Sequence, residues 1–242
     1  MSYHWNWGIF WEASPEGTGT YADMLWAGFL TTLEVSALAW ILALTIGSAV
    51  GVLRSLPNPW VKRIANAYIE LLRNIPLLVQ LFLWYFVLPE LVPEAWGDWL
   101  KQLPNAPFWN GFIGLGLFMS ARVAVQVSTG IAALPRGQMA AGTALGLTLP
   151  QCYWYVILPM AFRVIMPPLT SEMINTIKNS SVALTIGLAE LTARTRAVQE
   201  FSFQVFEAFT AATVIYLLLN LAVTSAMRAF EKRLRLPGYG GS

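Results

Sequence analysis

Long apolar stretches separated by short polar ones dominate the pattern of this chain. Three clear apolar segments cover about 24–53, 76–93 and 108–134, and a fourth covers about 207–229. The stretch LTTLEVSALAWILALTIGSAVGVL at 30–53 contains one charged residue in twenty-four. Because about 17–25 apolar residues are enough to cross the hydrocarbon core of a bilayer, each segment predicts a membrane-spanning helix.

Hydropathy leaves the segment 164–189 undecided, because it contains Pro167, Pro168, Glu172 and Lys178. The distribution of basic residues decides the matter, since loops on the cytoplasmic side collect Lys and Arg. Three regions are rich in them, namely 54–73 with Arg54, Lys62, Arg63 and Arg73, the loop at 135–163 with Arg136 and Arg163, and the end with Arg228, Lys232, Arg233 and Arg235. Residues 1–23 have none. All three basic regions lie on the same side of the membrane only if the segment 164–189 crosses it.

The pattern therefore predicts an all-α integral membrane protein with five spans, its N-terminus outside and its C-terminus inside. The predicted organisation is an outer segment at 1–22, a transmembrane domain at 23–230 with a cytoplasmic loop at about 135–163, and a cytoplasmic tail at 231–242. The first residues, MSYHWNWGIFWEASPEG, have neither the basic nor the apolar part of a cleaved signal peptide. Trp5, Trp7 and Trp11 suit the interface between membrane and water.

Composition agrees with a membrane protein and excludes several kinds of site. Hydrophobic residues make up 56% of the chain, charged residues 12%, and the mean hydropathy is +0.55, whereas soluble domains carry about 25% charged residues. His4 and Cys152 are the only residues of their types, so we predict no metal site and no cofactor. A catalytic site would need a nucleophile with a base, or clustered metal ligands, so we predict that the chain is not an enzyme.

The loop segment GQMAAGTALGLTLPQCYWYVILPMAFR, at 137–163, interrupts the apolar pattern. Its AAGTAL stretch favours a helix, Gly146 stands where a C-cap glycine would end that helix, and Pro150 prevents simple continuation. The segment could be a loop that packs back on its own helices, or a surface on which another protein acts.

The sequence MAAGTALG at 139–146, followed after ten residues by ILP at 157–159, closely resembles the coupling loop of ABC importer permeases. Three more stretches, YIELLRNIPLLVQLFLWYF (68–86), LPRGQ (134–138) and LTSEMINTIKNSSVALTIGLAEL (169–191), resemble the polar amino acid uptake subfamily. The whole pattern looks most like the glutamate/aspartate import permeases.

This resemblance implies a five-span type I ABC permease fold in the bacterial inner membrane, with a periplasmic N-terminus. It also implies partners: cytoplasmic ATPase subunits, a related second permease subunit in a heterodimer, and a periplasmic substrate-binding protein, but no nucleic acid. No Gly-Lys dipeptide occurs, so this chain has no ATP-binding P-loop. The residues expected to couple to the ATPase are Met139, Ala140, Ala141, Leu145, Gly146, Leu147 and Thr148. Relatives commonly carry glutamate where Met139 stands.

Ionisable residues within spans are costly, so they are candidates for function. Polar residues of the predicted substrate pathway are Arg122, Glu172, Asn175, Asn179, Ser180 and Ser181. Relatives often carry tyrosine in place of Arg122, glutamate in place of Val125 and aspartate in place of Asn179. These three departures favour an anionic substrate, and arginine can hold a carboxylate with two hydrogen bonds.

Other roles remain open for these charged residues. Arg122 could instead pair with Glu172, cap backbone carbonyls or reach the cytoplasmic face. Lys178 resembles a basic residue found in relatives that carry different substrates, which favours a structural role. Glu34 is expected to pair with a neighbour or to face a subunit interface.

The predicted function is therefore the permease subunit of an ATP-driven, binding-protein-dependent importer of polar amino acids, with glutamate and aspartate favoured. The alternative is a subunit of a secondary carrier or channel for amino acids or other small polar solutes.

Overall fold

The computed structural model describes residues 3–17 and 19–234, and this part of the chain is helical almost throughout. Arg235 and the rest of the predicted tail lie outside the described residues. The helices are α1 (Tyr21–Ser55), α2 (Pro59–Asn74), α3 (Leu77–Leu91), α4 (Glu94–Lys101), α5 (Ala106–Ala132), α6 (Arg136–Ala144), α7 (Leu149–Ile186), α8 (Leu191–Ser202) and α9 (Val205–Leu234), with a short 3-10 turn at Trp7–Trp11.

Helices occupy all five segments that the sequence predicts as spans. Four of the described helices, α1, α5, α7 and α9, are long and apolar enough to cross a membrane. A fifth crossing results if α2 and α3, on either side of the break at Ile75 and Pro76, count as one bent span. The structure thus supports an all-α membrane fold with four or five spans.

Local sequence explains where the first two helices begin. At the start of α1, the Thr20 backbone N–H donates to Asp23 Oδ2 at 2.7 Å, and the Asp23 N–H donates to Thr20 Oγ1 at 3.3 Å. This reciprocal pair satisfies two amides that a helix end leaves free. At the start of α2, the Asn58 side chain accepts hydrogen bonds from the N–H groups of Trp60 and Val61, and Pro59 takes the first helical position.

Pro167 and Pro168 do not break the helix that enters the fourth span. Both lie inside a continuous α-helix, Leu158–Ser180, within α7. Each proline removes one backbone donor, but proline is tolerated in membrane helices because neighbouring groups can satisfy the carbonyls it frees. The irregular turns lie elsewhere, since wide π turns occur at Leu83–Val87 in α3 and at Tyr153–Ile157 in α7.

The chain divides into two compact units. The first contains the described residues up to Ala39, Pro76–Leu115 and Asn175–Ala222. Its apolar core joins the N-terminal segment to α1, α8 and α9, through Ile9, Tyr21, Met24, Leu25, Leu191, Val198 and Ala208. Polar contacts fix the N-terminal segment further, since Glu16 accepts two hydrogen bonds from Arg194 at 2.7 and 2.9 Å.

The second unit contains Trp40–Ile75, Gly116–Ile174 and the described residues from Val223 onward. Here α1 packs closely on α5 because two glycines, four residues apart, face it. A Cβ atom added to Gly47 would lie 2.5 Å from the Ser120 carbonyl oxygen, and one added to Gly51 would lie 2.6 Å from Val127 Cβ. Small residues at this spacing let membrane helices approach closely.

Polar side chains tie the same helices together at their ends. Arg54 donates to Asn66 Oδ1 at 2.8 Å and to Ser128 Oγ at 2.9 Å, linking α1 to α2 and α5. Tyr153 donates to the Ser55 carbonyl oxygen at 2.9 Å, which links α7 to the end of α1. The second unit therefore holds the predicted coupling segment on a rigid base.

We predict that Gly51→Val destabilises the protein, because its side chain would overlap Val127 and the Ala124 carbonyl oxygen. Overpacking of this kind costs about 1–3 kcal/mol. Thermal unfolding of the purified protein in detergent would measure the effect. Gly137→Val is the matched control, since nothing lies within 4 Å of a Cβ atom at Gly137. Equal loss of stability in both variants would contradict the close α1–α5 contact.

Candidate functional site

The predicted coupling segment forms the helix α6, followed by a sharp turn into α7. The helix ends as its sequence predicts, with Gly146 at a φ of +80°. The Leu147 N–H donates to the Gly142 carbonyl oxygen at 3.1 Å and the Gly146 N–H to that of Thr143 at 3.0 Å. These two bonds are those of a Schellman C-cap, in which glycine adopts the left-handed conformation without steric cost.

The next helix begins immediately after this turn. Thr148 is its N-cap, and the Thr148 N–H donates to Gln151 Oε1 at 2.9 Å. The chain therefore changes direction between Leu145 and Leu149 through hydrogen bonds of its own, rather than through contacts with a partner.

The inner side of α6 packs back on α7. Gly142 and Cys152 are both buried, and a Cβ atom on Gly142 would lie 2.8 Å from Cys152 Sγ. The Cys152 thiol also lies 3.8 Å from the Leu147 carbonyl oxygen. Cys152 is a small packing residue, as the sequence indicates.

The outer side of the same segment stays exposed. Ala140, Ala141, Gly146 and Thr148 are exposed, Met139 and Leu147 are half-buried, and Leu145 is 82% exposed. A leucine on a rigid turn gains nothing from water, so this surface suits contact with another protein. One side of α6 therefore packs on α7, while the other side is left exposed.

Arg122 and Glu172 are brought together in the second unit. Arg122 Nη1 lies 4.0 Å from Glu172 Oε2, and the Arg122 side chain is 42% exposed whereas that of Glu172 is 10% exposed. The guanidinium carbon also lies 5.1 Å from the centre of the Phe118 ring, one turn earlier on α5. The distance to the carboxylate exceeds that of a hydrogen bond, so the ion pair leaves guanidinium donors accessible.

Gln126 holds the other oxygen of the same carboxylate. Its Nε2 donates to Glu172 Oε1 at 3.2 Å. Gln126 stands four residues after Arg122, so both side chains lie on one face of α5. Sequence analysis missed Gln126 and Phe118, although their spacing of four residues on either side of Arg122 was a signal that could have identified them.

Arg122 lies well inside the spanning helix. It is ten residues from the end of α5 at Ala132, which corresponds to about 15 Å along the helix axis. An arginine at that depth is costly unless it faces protein or a wet cavity. The exposed part of the Arg122 side chain is therefore expected to face another protein chain or a wet cavity rather than lipid.

The remaining predicted pathway residues belong to the first unit. Asn175, Asn179 and Ser181 are half-buried, and Ser180 is fully buried. The Ser180 and Ser181 hydroxyls donate to the carbonyl oxygens of Ile177 and Lys178, both at 2.7 Å, so both are satisfied by their own helix.

Glu34 and Lys178 are charged side chains well inside the spanning helices α1 and α7. Both are exposed, and neither forms an ion pair with another residue in the described part of the chain. Of the two roles expected for Glu34, an ion pair with a neighbour is not seen among the described residues, and a position at a subunit interface stays a prediction.

Glu190 is a buried carboxylate that the sequence did not single out. It caps α8, accepting from the Ala193 N–H at 2.8 Å and from the Thr192 N–H and the Tyr216 hydroxyl, both at 2.9 Å. Burial raises the pKa of Glu190 above its ordinary value, and these hydrogen bonds oppose that rise. Glutamate is not among the favoured N-cap residues, so the pattern gave no signal.

The N-terminal segment carries a second carboxylate contact of this kind. Glu207, in the first turn of α9, accepts from the Asn6 N–H at 2.7 Å and from the Tyr3 hydroxyl. The hydrogen bond to Glu207 raises the pKa of Tyr3 to about 12. This contact fastens the chain's start to α9 within the first unit.

Comparison with known proteins places the chain among transport subunits. It is 48% identical to the glutamate/aspartate import permease protein GltJ of Escherichia coli (strain K12), over 100% of this chain and 99% of the relative. It is 31% identical to the probable glutamine ABC transporter permease protein GlnM of Bacillus subtilis (strain 168), over 88% of this chain and 94% of the relative.

A solved structure with a similar chain is described as an amino acid ABC transporter with histidines. It has a TM-score of 0.76 and 31% identity, covering 88% of this chain and 95% of that one. A chain of the MetNI methionine ABC transporter, at 18% identity and a TM-score of 0.73, shares the fold. It covers 89% of this chain and 98% of that one.

A family model described as binding-protein-dependent transport system inner membrane component matches residues 41–236. The match covers most of the chain and confirms the predictions of a multi-pass inner membrane location and of a transport subunit rather than an enzyme. The chain belongs to the family of inner membrane components of binding-protein-dependent transport systems, and within it to the ABC importer permeases.

Proposed function

We propose that this permease subunit carries glutamate and aspartate, in an importer driven by a separate ATPase and supplied by an external binding protein. The chain crosses the membrane five times, with its N-terminus in the periplasm and its C-terminus in the cytoplasm. The full-length resemblance to a glutamate/aspartate permease supports the substrate class. The basic residues at the end of α1, in α2, in α6 and at the end of α9 support the orientation.

The proposal of an acidic substrate rests on the position and partial exposure of Arg122. Its guanidinium group is inside a spanning helix, partly exposed, and 4.0 Å from an internal carboxylate. A substrate carboxylate can therefore bind its accessible donors, with the two-point geometry that arginine offers and lysine does not. Phe118 and Glu172 hold the guanidinium in place from within the protein.

Glu172 has a second role in this proposal, as a carboxylate that keeps Arg122 compensated when no substrate is bound. A cation inside the membrane without a counter-charge would be costly. The proposed substrate pathway also includes Asn175, Asn179, Ser180 and Ser181, which are polar residues of the predicted fourth span.

The exposed side of α6 is the surface on which the ATPase acts. Met139, Ala140, Ala141, Leu145, Gly146, Leu147 and Thr148 form this surface. Supporting this role, the segment is rigidly capped, exposes Leu145, and packs on α7 through Gly142. A push on α6 is therefore transmitted to the helix that carries Glu172.

A related second permease subunit completes the transport path as a heterodimer. Support comes from Glu34 and Lys178, which are exposed on apolar helices. Charged side chains at that depth normally face protein or a wet cavity rather than lipid. A second permease subunit would provide a protein surface for Glu34 and Lys178 to face.

We predict that Arg122→Gln lowers ATP-dependent glutamate uptake by about ten- to hundredfold, because hydrogen bonds to charged groups contribute about 1.5–3 kcal/mol. The measurement is uptake of labelled glutamate into vesicles that contain the whole complex. Unlabelled aspartate should compete strongly in the wild type, and arginine should not.

Arg163→Gln is the matched control for losing one positive charge, since Arg163 is exposed and belongs to the same unit. Normal uptake by Arg122→Gln would contradict the site. Strong competition by arginine would contradict the acidic substrate while leaving the permease role intact.

We also predict that Gly146→Arg abolishes ATP-coupled uptake although the subunit still inserts in the membrane. The substitution places a large side chain at a φ of +80° on the exposed turn. Asparagine tolerates this conformation, so Gly146→Asn should retain most uptake. The measurement is ATP hydrolysis and uptake by the same reconstituted complexes, and full coupling in Gly146→Arg would exclude this turn as the docking surface.

A further inference from the structure

The helix α2 combines four charged residues with several exposed apolar ones. Lys62, Arg63, Glu70 and Arg73 are all exposed on a helix of sixteen residues. So many charges are costly in the hydrocarbon core. Yet Trp60 is 69% exposed, Ile64 71% and Leu71 62%. Such a helix fits neither a simple span nor an ordinary surface helix in water.

The positions of these residues divide α2 into three sides. With about 100° of rotation per residue, Ala65, Ile69 and Leu72 lie on one side, and all three are buried in the protein. Trp60, Ile64, Ala67 and Leu71 form a second side, a narrow apolar stripe that is exposed along its whole length. The charged residues lie on the third side, between the other two.

Contacts within the second unit fix this orientation. Asn66 accepts a hydrogen bond from Arg54 at 2.8 Å, and the Tyr68 and Ser120 hydroxyls are 2.7 Å apart. These bonds hold the buried side against α1 and α5, so α2 cannot rotate to hide the apolar stripe. The stripe therefore needs an apolar environment outside this chain.

The charges beside the stripe indicate what that environment is. The Arg63 guanidinium carbon lies 5.1 Å from the centre of the Trp60 ring, at the border between the apolar and charged sides. Lys62, Arg63 and Arg73 form no ion pair with an acidic residue in the chain as described. Arginine and tryptophan at such a border are typical of the zone between acyl chains and headgroups.

We infer that α2 lies along the membrane surface and binds anionic phospholipid there. The stripe Trp60, Ile64, Ala67 and Leu71 enters the acyl boundary, while Lys62, Arg63 and Arg73 bind the phosphate groups. An interfacial helix has this division into an apolar and a basic face. Charge complementarity favours anionic lipid over a second permease subunit, because the apolar stripe is bordered by cations that acidic headgroups would neutralise.

Site-specific labelling of the reconstituted complex tests the position of the stripe. Ala67→Cys places a thiol in the middle of the stripe and Glu70→Cys places one on the charged side, whereas the native Cys152 is buried. Each is labelled with bimane and quenched by iodide in water or by spin-labelled lipid. We expect lipid to quench the label at 67 and iodide to quench the label at 70. A label at 67 that is reached by iodide, or by neither quencher, would overturn the inference in favour of water or a protein partner.

The lipid charge is tested in the same vesicles. Spin-labelled phosphatidylglycerol should quench the label at 67 about twofold more than spin-labelled phosphatidylcholine, since basic residues near the surface attract anionic lipid. The preference should disappear with Lys62→Gln and Arg63→Gln combined. Lys101→Gln with Arg196→Gln, two cations lost from the other unit, should preserve it. A preference unaffected by the α2 substitutions would overturn the anionic-lipid assignment.

The lipid-quenching result does not depend on which substrate the complex transports. Glutamate uptake measured in the same vesicles would report the proposed function separately from lipid quenching. Normal uptake with no lipid contact at 67 would contradict only the lipid inference, and lipid contact without glutamate uptake would contradict only the substrate.

Discussion

The bilayer core offers no hydrogen-bond partner to a backbone amide, and the rest of this structure depends on that constraint. Continuous helices satisfy their own amides, which is why long apolar segments fold as helices even through Pro167 and Pro168. With the backbone satisfied, helices associate mainly by close packing. Gly47 and Gly51 permit that packing, since any larger residue would overlap α5.

The same constraint explains how the chain treats its polar side chains. The buried Glu190 side chain accepts three hydrogen bonds, and the half-buried Arg54 side chain donates two. Arg122 differs, because its carboxylate partner is near but beyond hydrogen-bond distance and is itself held by Gln126. A charge that is compensated yet still accessible is what distinguishes a binding group from a structural one.

Sequence alone predicted the helical architecture because the determining signal is local. Apolar length located α1 and α5 to within a few residues, but α7 begins at Leu149, well before the predicted segment 164–189. Gly146 marked the end of α6, where the backbone requires a positive φ. The resemblance to ABC permeases then identified the family correctly. Pro167 and Pro168 are tolerated inside α7, because neighbouring groups in a membrane protein can satisfy the carbonyls that proline frees.

The site was predicted less completely, because its contacts join distant parts of the chain. Arg122 and Glu172 are 50 positions apart in the sequence, and their meeting depends on how α5 packs on α7. The spacing of Gln126 from Arg122 pointed to a shared helix face, but it did not say which residue of another helix Gln126 would contact. The exposed stripe of α2 was hidden for a similar reason: its amphipathic pattern does not say which apolar side the protein buries.

The wide turn at Tyr153–Ile157 sets the direction in which the rest of α7, including Glu172, presents its side chains. A π turn contains one residue more than the α-helical turn it replaces. Loss of a single residue there would restore an ordinary helix and rotate everything beyond it by about 100° around the axis. Glu172 would then no longer point at Arg122, although neither residue had changed. In this chain, the number of residues between Cys152 and Glu172 matters as much as their identity.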